Sequence, residues 1–181
     1  KVYYICGNHD HRIDKMEENL DALRDFGVRV LVNEIDITKI CDEDVAILGL
    51  DENQASRASY KIRRKGGYKY TDNSKYFNEL AKFDGMKLCL SHYPENFAGI
   101  GDVSYNQYDF DLMMSGHAHG GQWRFPIVGG LYAPGQGKLP KYCSGEHGDR
   151  PKLIISRGLG NSNFPFRIFN FPEICVINFT K

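Results

Sequence analysis

The 181-residue chain has no excess of either charge, because its 23 Lys and Arg residues balance its 23 Asp and Glu residues. A neutral chain offers no general attraction for a polyanion, so we do not expect nucleic acid as a stable partner. The sequence also lacks any apolar run of roughly 18 residues, which excludes a membrane-spanning helix within it. At 41% hydrophobic residues, the composition is that of one globular domain with a core of its own, residues 1–181.

Cysteine pairs with metal-binding spacing are missing too. No CxxC motif occurs, which argues against a structural zinc knuckle. Cys6, Cys89 and Cys175 lie in apolar runs and are predicted to be small buried residues. The chain also lacks an initial Met and opens with the apolar run 2–5. Natural proteins seldom begin inside a strand, so we expect that an upstream segment is absent from this sequence.

Hydrophobic periodicity predicts a strand at 2–6, then a helix, then a strand at 28–32. Asp14 and Glu17 have the spacing of a capping box at the start of the helix, and Gly27 ends it. Strand, helix and strand in this order predict a βαβ unit with parallel strands.

The rest of the chain continues the alternation of strands and helices. Residues 72–83 form a predicted helix, residues 53–68 a basic loop or helix that could rim a site for anions, and residues 120–150 one long ordered loop. Further strands are predicted at 45–50, 87–90, 110–114, 153–156 and 174–179.

Three histidine-bearing loops each follow a predicted strand: residues 7–10 (GNHD), 91–95 (SHYPE) and 116–121 (GHAHGG). In open α/β sheets, ligands bind beyond the carboxyl ends of the strands, so these loops can meet at one edge. In an extended chain, His117 and His119 point to the same side and can reach two neighbouring metals. A structural histidine pair is the alternative for this motif.

The other two loops are weaker signals when each is taken alone. A lone His after a strand, such as His92, is more often a core or loop histidine than a ligand. The amide oxygen of Asn8 suits a hard or borderline cation, and His9 beside it is a candidate acid or phosphate contact. All three loops in this order indicate a metal and phosphate site far more specifically than any one of them does.

The three motifs together resemble those of the calcineurin-like metallophosphoesterases. Residues 116–122 with Pro126 behind them, and residues 156–160 (SRGLG), narrow the resemblance to bacterial phosphohydrolases of the YkuE and YaeI type. The resemblance implies an α/β fold, a four-layer αββα sandwich of two sheets flanked by helices, with its first strands missing here. It also implies a dinuclear metal centre at the strand ends.

Residue roles follow from the resemblance. Asn8, His92 and His117 would bind one metal, and His119 the other. His9 would be catalytic, contacting the phosphate and protonating or stabilising the leaving group.

Two residues near these motifs are predicted to assist. Asp10 is expected to orient its loop rather than bind a metal. Arg157 is expected either to face the phosphate or to form a structural salt bridge, while Arg167 and Glu173 are expected to pair with each other.

The sequence departs from the family pattern at its beginning. An Asp-x-His strand end and a Gly-Asp loop should precede Gly7, and neither occurs upstream of it; no later Asp-x-His occurs either. The intact enzyme is therefore expected to bind two divalent ions (Mn, Fe or Zn), and this chain one or none. The missing segment could also anchor the protein at the membrane, with a cytoplasmic location as the alternative.

The leading hypothesis is a phosphomonoesterase or phosphodiesterase that uses a metal-bridging hydroxide on a small phosphate-ester substrate. A second hypothesis is a catalytically incompetent remnant that keeps the fold as a binding module. A third is a mononuclear zinc hydrolase that uses Asn8, His92 and His117. The exposed edge of strand 2–6 also predicts a homodimer.

Overall fold

The computed structural model describes residues 1–52, 72–99, 104–161 and 165–180. Within these ranges no helix is long and apolar enough to cross a bilayer. The helices are α1 (Met16–Asp25) and α2 (Ser74–Leu80). The strands are β1 (Tyr3–Ile5), β2 (Arg29–Leu31), β3 (Glu34–Ile40), β4 (Glu43–Gly49), β5 (Met86–Leu90), β6 (Leu112–Ser115), β7 (Arg124–Phe125), β8 (Gly129–Gly130), β9 (Tyr132–Ala133), β10 (Gly137–Lys138), β11 (Gly145–His147) and β12 (Lys152–Ile155).

The main sheet has six strands in the order β11-β12-β6-β5-β4-β3. Its four central strands are parallel, and the two edge strands pair antiparallel to their neighbours. The central strands are short apolar runs that are covered on both faces, as is usual for parallel strands. Parallel neighbours also end at the same edge, so β5 and β6 deliver their following loops side by side.

A second, two-stranded sheet is made by β1 and β2, which are parallel and connected through α1. The βαβ prediction is therefore confirmed. The predicted capping box is wrong, because the helix begins after Lys15, which has a left-handed backbone and makes no capping hydrogen bond through its side chain. Gly27 does end the helix, with a φ of 81° and its N–H bonded to the carbonyl of Arg24.

Three apolar clusters define the layers. Leu20 of α1 packs with Val30 and Cys6 on the outer face of the small sheet. Leu31 of the small sheet meets the main sheet in a second cluster. The far face of the main sheet packs against Phe77 of α2, whose full burial contributes roughly 1.5–3 kcal/mol. The order is α1, small sheet, main sheet, α2, which is the predicted αββα arrangement.

Several local predictions are wrong. The segment 174–179 forms no strand, because no described strand pairs with it, and Cys175 is exposed rather than buried. Residues 120–150 are not one loop but contain the five short strands β7 to β11. The basic segment 53–68 lies outside the described residues.

Strand β3 is an addition to the strands predicted from the sequence. A two-residue turn, Cys41-Asp42, connects β3 to β4, and both residues have positive φ, 50° and 66°. Such tight hairpin turns are usually marked by Asn-Gly or Asp-Gly, and this one carries no glycine.

Candidate metal and phosphate site

The loops that follow β1, β5 and β6 bring three polar side chains together. The Nε2 atom of His92 lies 2.9 Å from Oδ1 of Asn8 and 3.0 Å from Nδ1 of His117. The two imidazole rings are in edge contact, with centroids 4.7 Å apart. Two of these side chains come from the main sheet, and Asn8 comes from the small sheet.

Gly7 makes this close approach possible. A Cβ atom at position 7 would lie 2.7 Å from Cε1 of His92 and 2.9 Å from its Nδ1. Ordinary van der Waals contact begins at 3.4 Å, so a residue with a Cβ atom at position 7 would clash with the imidazole of His92. Gly116, which precedes His117 in the same way, has no such neighbour within 4 Å.

The segment from His117 to His119 is a tight turn and not the extended chain that was predicted. His117 and His119 have φ values of 62° and 48°, and Ala118 between them is α-helical. The prediction of an extended chain whose two histidines point to the same side is therefore wrong. Non-glycine residues at positive φ are uncommon and are concentrated at functional sites.

Asn170 holds this turn from behind. It is 2% exposed, and its Nδ2 donates to the carbonyl of His119 at 2.7 Å and to that of Gln122 at 3.0 Å. Nδ1 of His119 lies 3.4 Å from the carbonyl of Gly160, which fits a tautomer whose Nδ1–H donates and whose Nε2 lone pair is available.

Partial burial favours the neutral form of both His92 and His119 near pH 7. Burial lowers the pKa of His92 to about 4, and burial also lowers the pKa of His119. A neutral imidazole presents the lone pair that a cation requires.

Asp10 contacts its own loop and its own strand. Its carboxylate accepts the backbone N–H of Gly7 at 2.6 Å and the hydroxyl of Tyr4 at 2.7 Å. These two bonds fix the path of the chain from β1 into the loop that carries Asn8. Burial, together with the Asp10 carboxylate, raises the pKa of Tyr4.

Arg157 is engaged with Glu173 and not with the site. Its Nε and one terminal nitrogen donate to Oε1 of Glu173 at 3.0 and 2.8 Å, and its backbone N–H donates to Oε2 at 3.0 Å. The predicted Arg167–Glu173 pair is therefore wrong. Arg167 donates instead to the carbonyl oxygens of Arg157 and Gly160.

The donor set fits one cation. In the described parts of the chain, no three His, Cys, Asp or Glu side chains form a metal-binding group. Asn8 with His92 and His117 supplies one amide oxygen and two imidazole nitrogens. Around a tetrahedral ion with bonds of about 2.1 Å, donors lie roughly 3.4 Å apart, so small movements from 2.9 and 3.0 Å admit an ion.

Sequence reasoning missed Glu52, which lies behind His92 and is 3% exposed. Burial raises its pKa, and hydrogen bonds from Asn96, Ser91 and Tyr105 act in the opposite direction. The available signal was its position at the end of β4, beside the end of β5. Without the contact to Ser91, an acidic residue at the start of a basic segment looks like a surface residue.

Comparison with known proteins gives several relatives, although no protein-family profile matches the chain. The chain is 37% identical over 113 residues to the uncharacterized metallophosphoesterase YkuE of Bacillus subtilis (54% of this chain, 39% of YkuE). It is 28% identical to the uncharacterized metallophosphoesterase YkoQ of Bacillus subtilis (96% of this chain, 58% of YkoQ). Phosphodiesterase YaeI of Escherichia coli is 25% identical to it (96% of this chain, 57% of YaeI).

These relatives and the four-layer fold point to the same class of protein. The chain is similar over nearly its whole length to proteins named metallophosphoesterase or phosphodiesterase, which supports the calcineurin-like metallophosphoesterase family that the histidine motifs indicate. The relatives include YkuE and YaeI, the type that the histidine motifs indicate. The chain spans 58% and 57% of the lengths of YkoQ and YaeI.

Proposed function

We propose that the protein is a metal-dependent phosphoric ester hydrolase in which Asn8, His92 and His117 hold one divalent cation and His119 contributes to a second. One observation carries the proposal: side chains from three separate strand ends converge within 2.9–3.0 Å in the order of the family motifs. Mn, Fe and Zn all suit a donor set of imidazole nitrogens with an amide oxygen.

Bound divalent cations would lower the pKa of a water molecule and polarise the phosphate oxygens. His9 is exposed and follows Asn8 in the loop after β1, where it would act on the departing ester oxygen. His92 and His119, which are partly buried and neutral, would keep their lone pairs for the metal and not act as acids. Arg157, held by Glu173, is assigned to the structure of the 156–160 segment.

The family relationship supports a small phosphomonoester or phosphodiester as the substrate and leaves open which one. A binding module with a decayed site remains the second candidate. The observation that favours it is that, among the described residues, no three His, Cys, Asp or Glu side chains form a metal-binding group. A homodimer through the edge of β1 stays a prediction, which size-exclusion chromatography with light scattering tests.

The test is hydrolysis of bis(p-nitrophenyl) phosphate by the full-length protein with Mn²⁺, Zn²⁺ or Fe²⁺ added separately. We expect activity that a chelator removes and that His9→Ala lowers by about 10²–10⁴-fold without loss of bound metal. His117→Ala should lose both metal and activity. Metal binding without turnover on a panel of mono- and diesters would favour the binding module instead.

A further inference from the structure

Glu52 is the buried centre of a hydrogen-bond network that lies directly behind His92. Its Oε2 accepts three hydrogen bonds: from the hydroxyl of Ser91 at 2.9 Å, from the backbone N–H of His92 at 2.9 Å, and from that of Tyr93 at 3.4 Å. Its Oε1 accepts two more, from Nδ2 of Asn96 at 2.7 Å and from the hydroxyl of Tyr105 at 2.9 Å.

The network continues away from the site through side chains that are also buried. Nδ2 of Asn73, at the start of α2, donates to the hydroxyl of Tyr105 at 2.7 Å. Asn73, Tyr105 and Glu52 are each at most 3% exposed. One carboxylate therefore connects the end of β4, the loop after β5 and the start of α2.

The two oxygens of Glu52 have different tasks. Oε2 faces residues 91–93 and fixes the backbone at the point where the side chain of His92 departs toward Asn8 and His117. Oε1 accepts from Asn96 and Tyr105, neither of which is one of the proposed metal-site residues. All five neighbours act as donors, and a carboxylate is the side-chain group that can accept from all of them at once.

We propose that Glu52 is a positioning residue for His92, which sets the direction of the imidazole through the backbone of residues 91–93. This inference rests on the proposed function, because the positioned imidazole matters only where it binds a cation. Groups behind a metal ligand typically alter metal affinity by about 10–100-fold when they are replaced. Glu52 acts on its ligand through the main chain rather than through the ring.

The decisive variant is Glu52→Gln, which preserves shape but puts an amide N–H₂ against a donor. We expect Mn²⁺ and Zn²⁺ affinity, measured by titration calorimetry on the full-length protein, to fall about 10–100-fold. The matched control is Tyr105→Phe, which removes one hydrogen bond at Oε1 and leaves Oε2 untouched. It should lower the melting temperature yet keep the metal affinity within about threefold of the wild type.

A second readout needs no metal. In chelator-treated protein, nuclear Overhauser contacts between the rings of His92 and His117 should weaken in Glu52→Gln and persist in Tyr105→Phe. If the wild type binds no cation, the proposed function fails, while these ring contacts still decide the role of Glu52. Should Glu52→Gln not fold, Ser91→Ala, which removes one bond to Oε2, should show the same effects more weakly. Unchanged affinity and ring contacts in these variants would overturn the proposal.

Discussion

Replacing Gly7 by Ala tests whether the close approach of Asn8 and His92 is needed. The new methyl group would lie 2.7 Å from Cε1 of His92, against 3.4 Å or more for an ordinary contact. Gly7 has no positive φ, so the backbone accepts alanine and the effect is steric. The imidazole must therefore move by roughly 0.7 Å, or the loop must retreat by as much.

A displacement of this size has a calculable consequence. Misplacing a reacting or ligating group by about 1 Å can cost on the order of 10²-fold in rate. Forcing a methyl group into a filled space typically costs about 1–3 kcal/mol of folding stability. We expect Gly7→Ala to lose about 10–100-fold in kcat/KM and in metal affinity while the protein still folds.

The assay is diester hydrolysis together with Mn²⁺ titration, and urea denaturation checks the fold. Gly116→Ala is the matched control, because its methyl group would meet nothing within 4 Å and its φ is not positive either. It should keep activity within about threefold. If both variants behave alike, or if Gly7→Ala retains full metal affinity, the packing of His92 against residue 7 has no functional role.

Three further outcomes are expected. The pKa of His92 in the folded protein, about 4, lies below the ordinary value of 6.5, so its contribution to stability is complete above about pH 6.5 and declines as the pH falls toward 4. Urea denaturation with chelator should therefore show that the free energy of unfolding falls by about 2 kcal/mol between pH 7.5 and pH 5. The decrease should be smaller in His92→Gln. Asn170→Ala leaves the carbonyl of His119 without its hydrogen-bond donor, so urea denaturation should show a free energy of unfolding lower by about 1–3 kcal/mol. The same variant should have a lower kcat. In steady-state kinetics, Arg157→Met and Glu173→Gln should have similar KM values, because each variant breaks the same ion pair. A KM raised only in Arg157→Met would indicate that Arg157 contacts the phosphate of the substrate.

Much of the fold could be predicted from periodicity, because the apolar runs that become β1, β4, β5, β6 and β12 are each bounded by polar or glycine residues. The hairpin partner β3 was missed because its turn, Cys41-Asp42, adopts positive φ without the usual glycine. The segment 174–179 shows the opposite failure. Its apolar, partly β-branched sequence favours a strand, but a strand also needs a hydrogen-bonded neighbour, which no local pattern reveals.

Prediction of the site had a similar limit. It was enough to know the residue types at three positions and that each follows an apolar run. These facts predict that the side chains of Asn8, His92 and His117 meet at one edge of the sheet. The turn at His117 and the partner of Arg157 depend on contacts with distant residues, Asn170 and Glu173, which spacing cannot show. Glu52 belongs to the same class, since its role arises from a neighbouring strand 39 residues along the chain, at Ser91.

The division of the site between two sheets has one more consequence. Asn8 follows the small sheet, whereas His92 and His117 follow the main sheet, and Ile5 and Leu31 pack against Gly49 where the two sheets meet. A cation shared by these ligands would act as a crosslink between layers. Ion occupancy should therefore slow amide hydrogen exchange along β1 and β2, and substitutions at that buried seam should alter ion affinity from a distance.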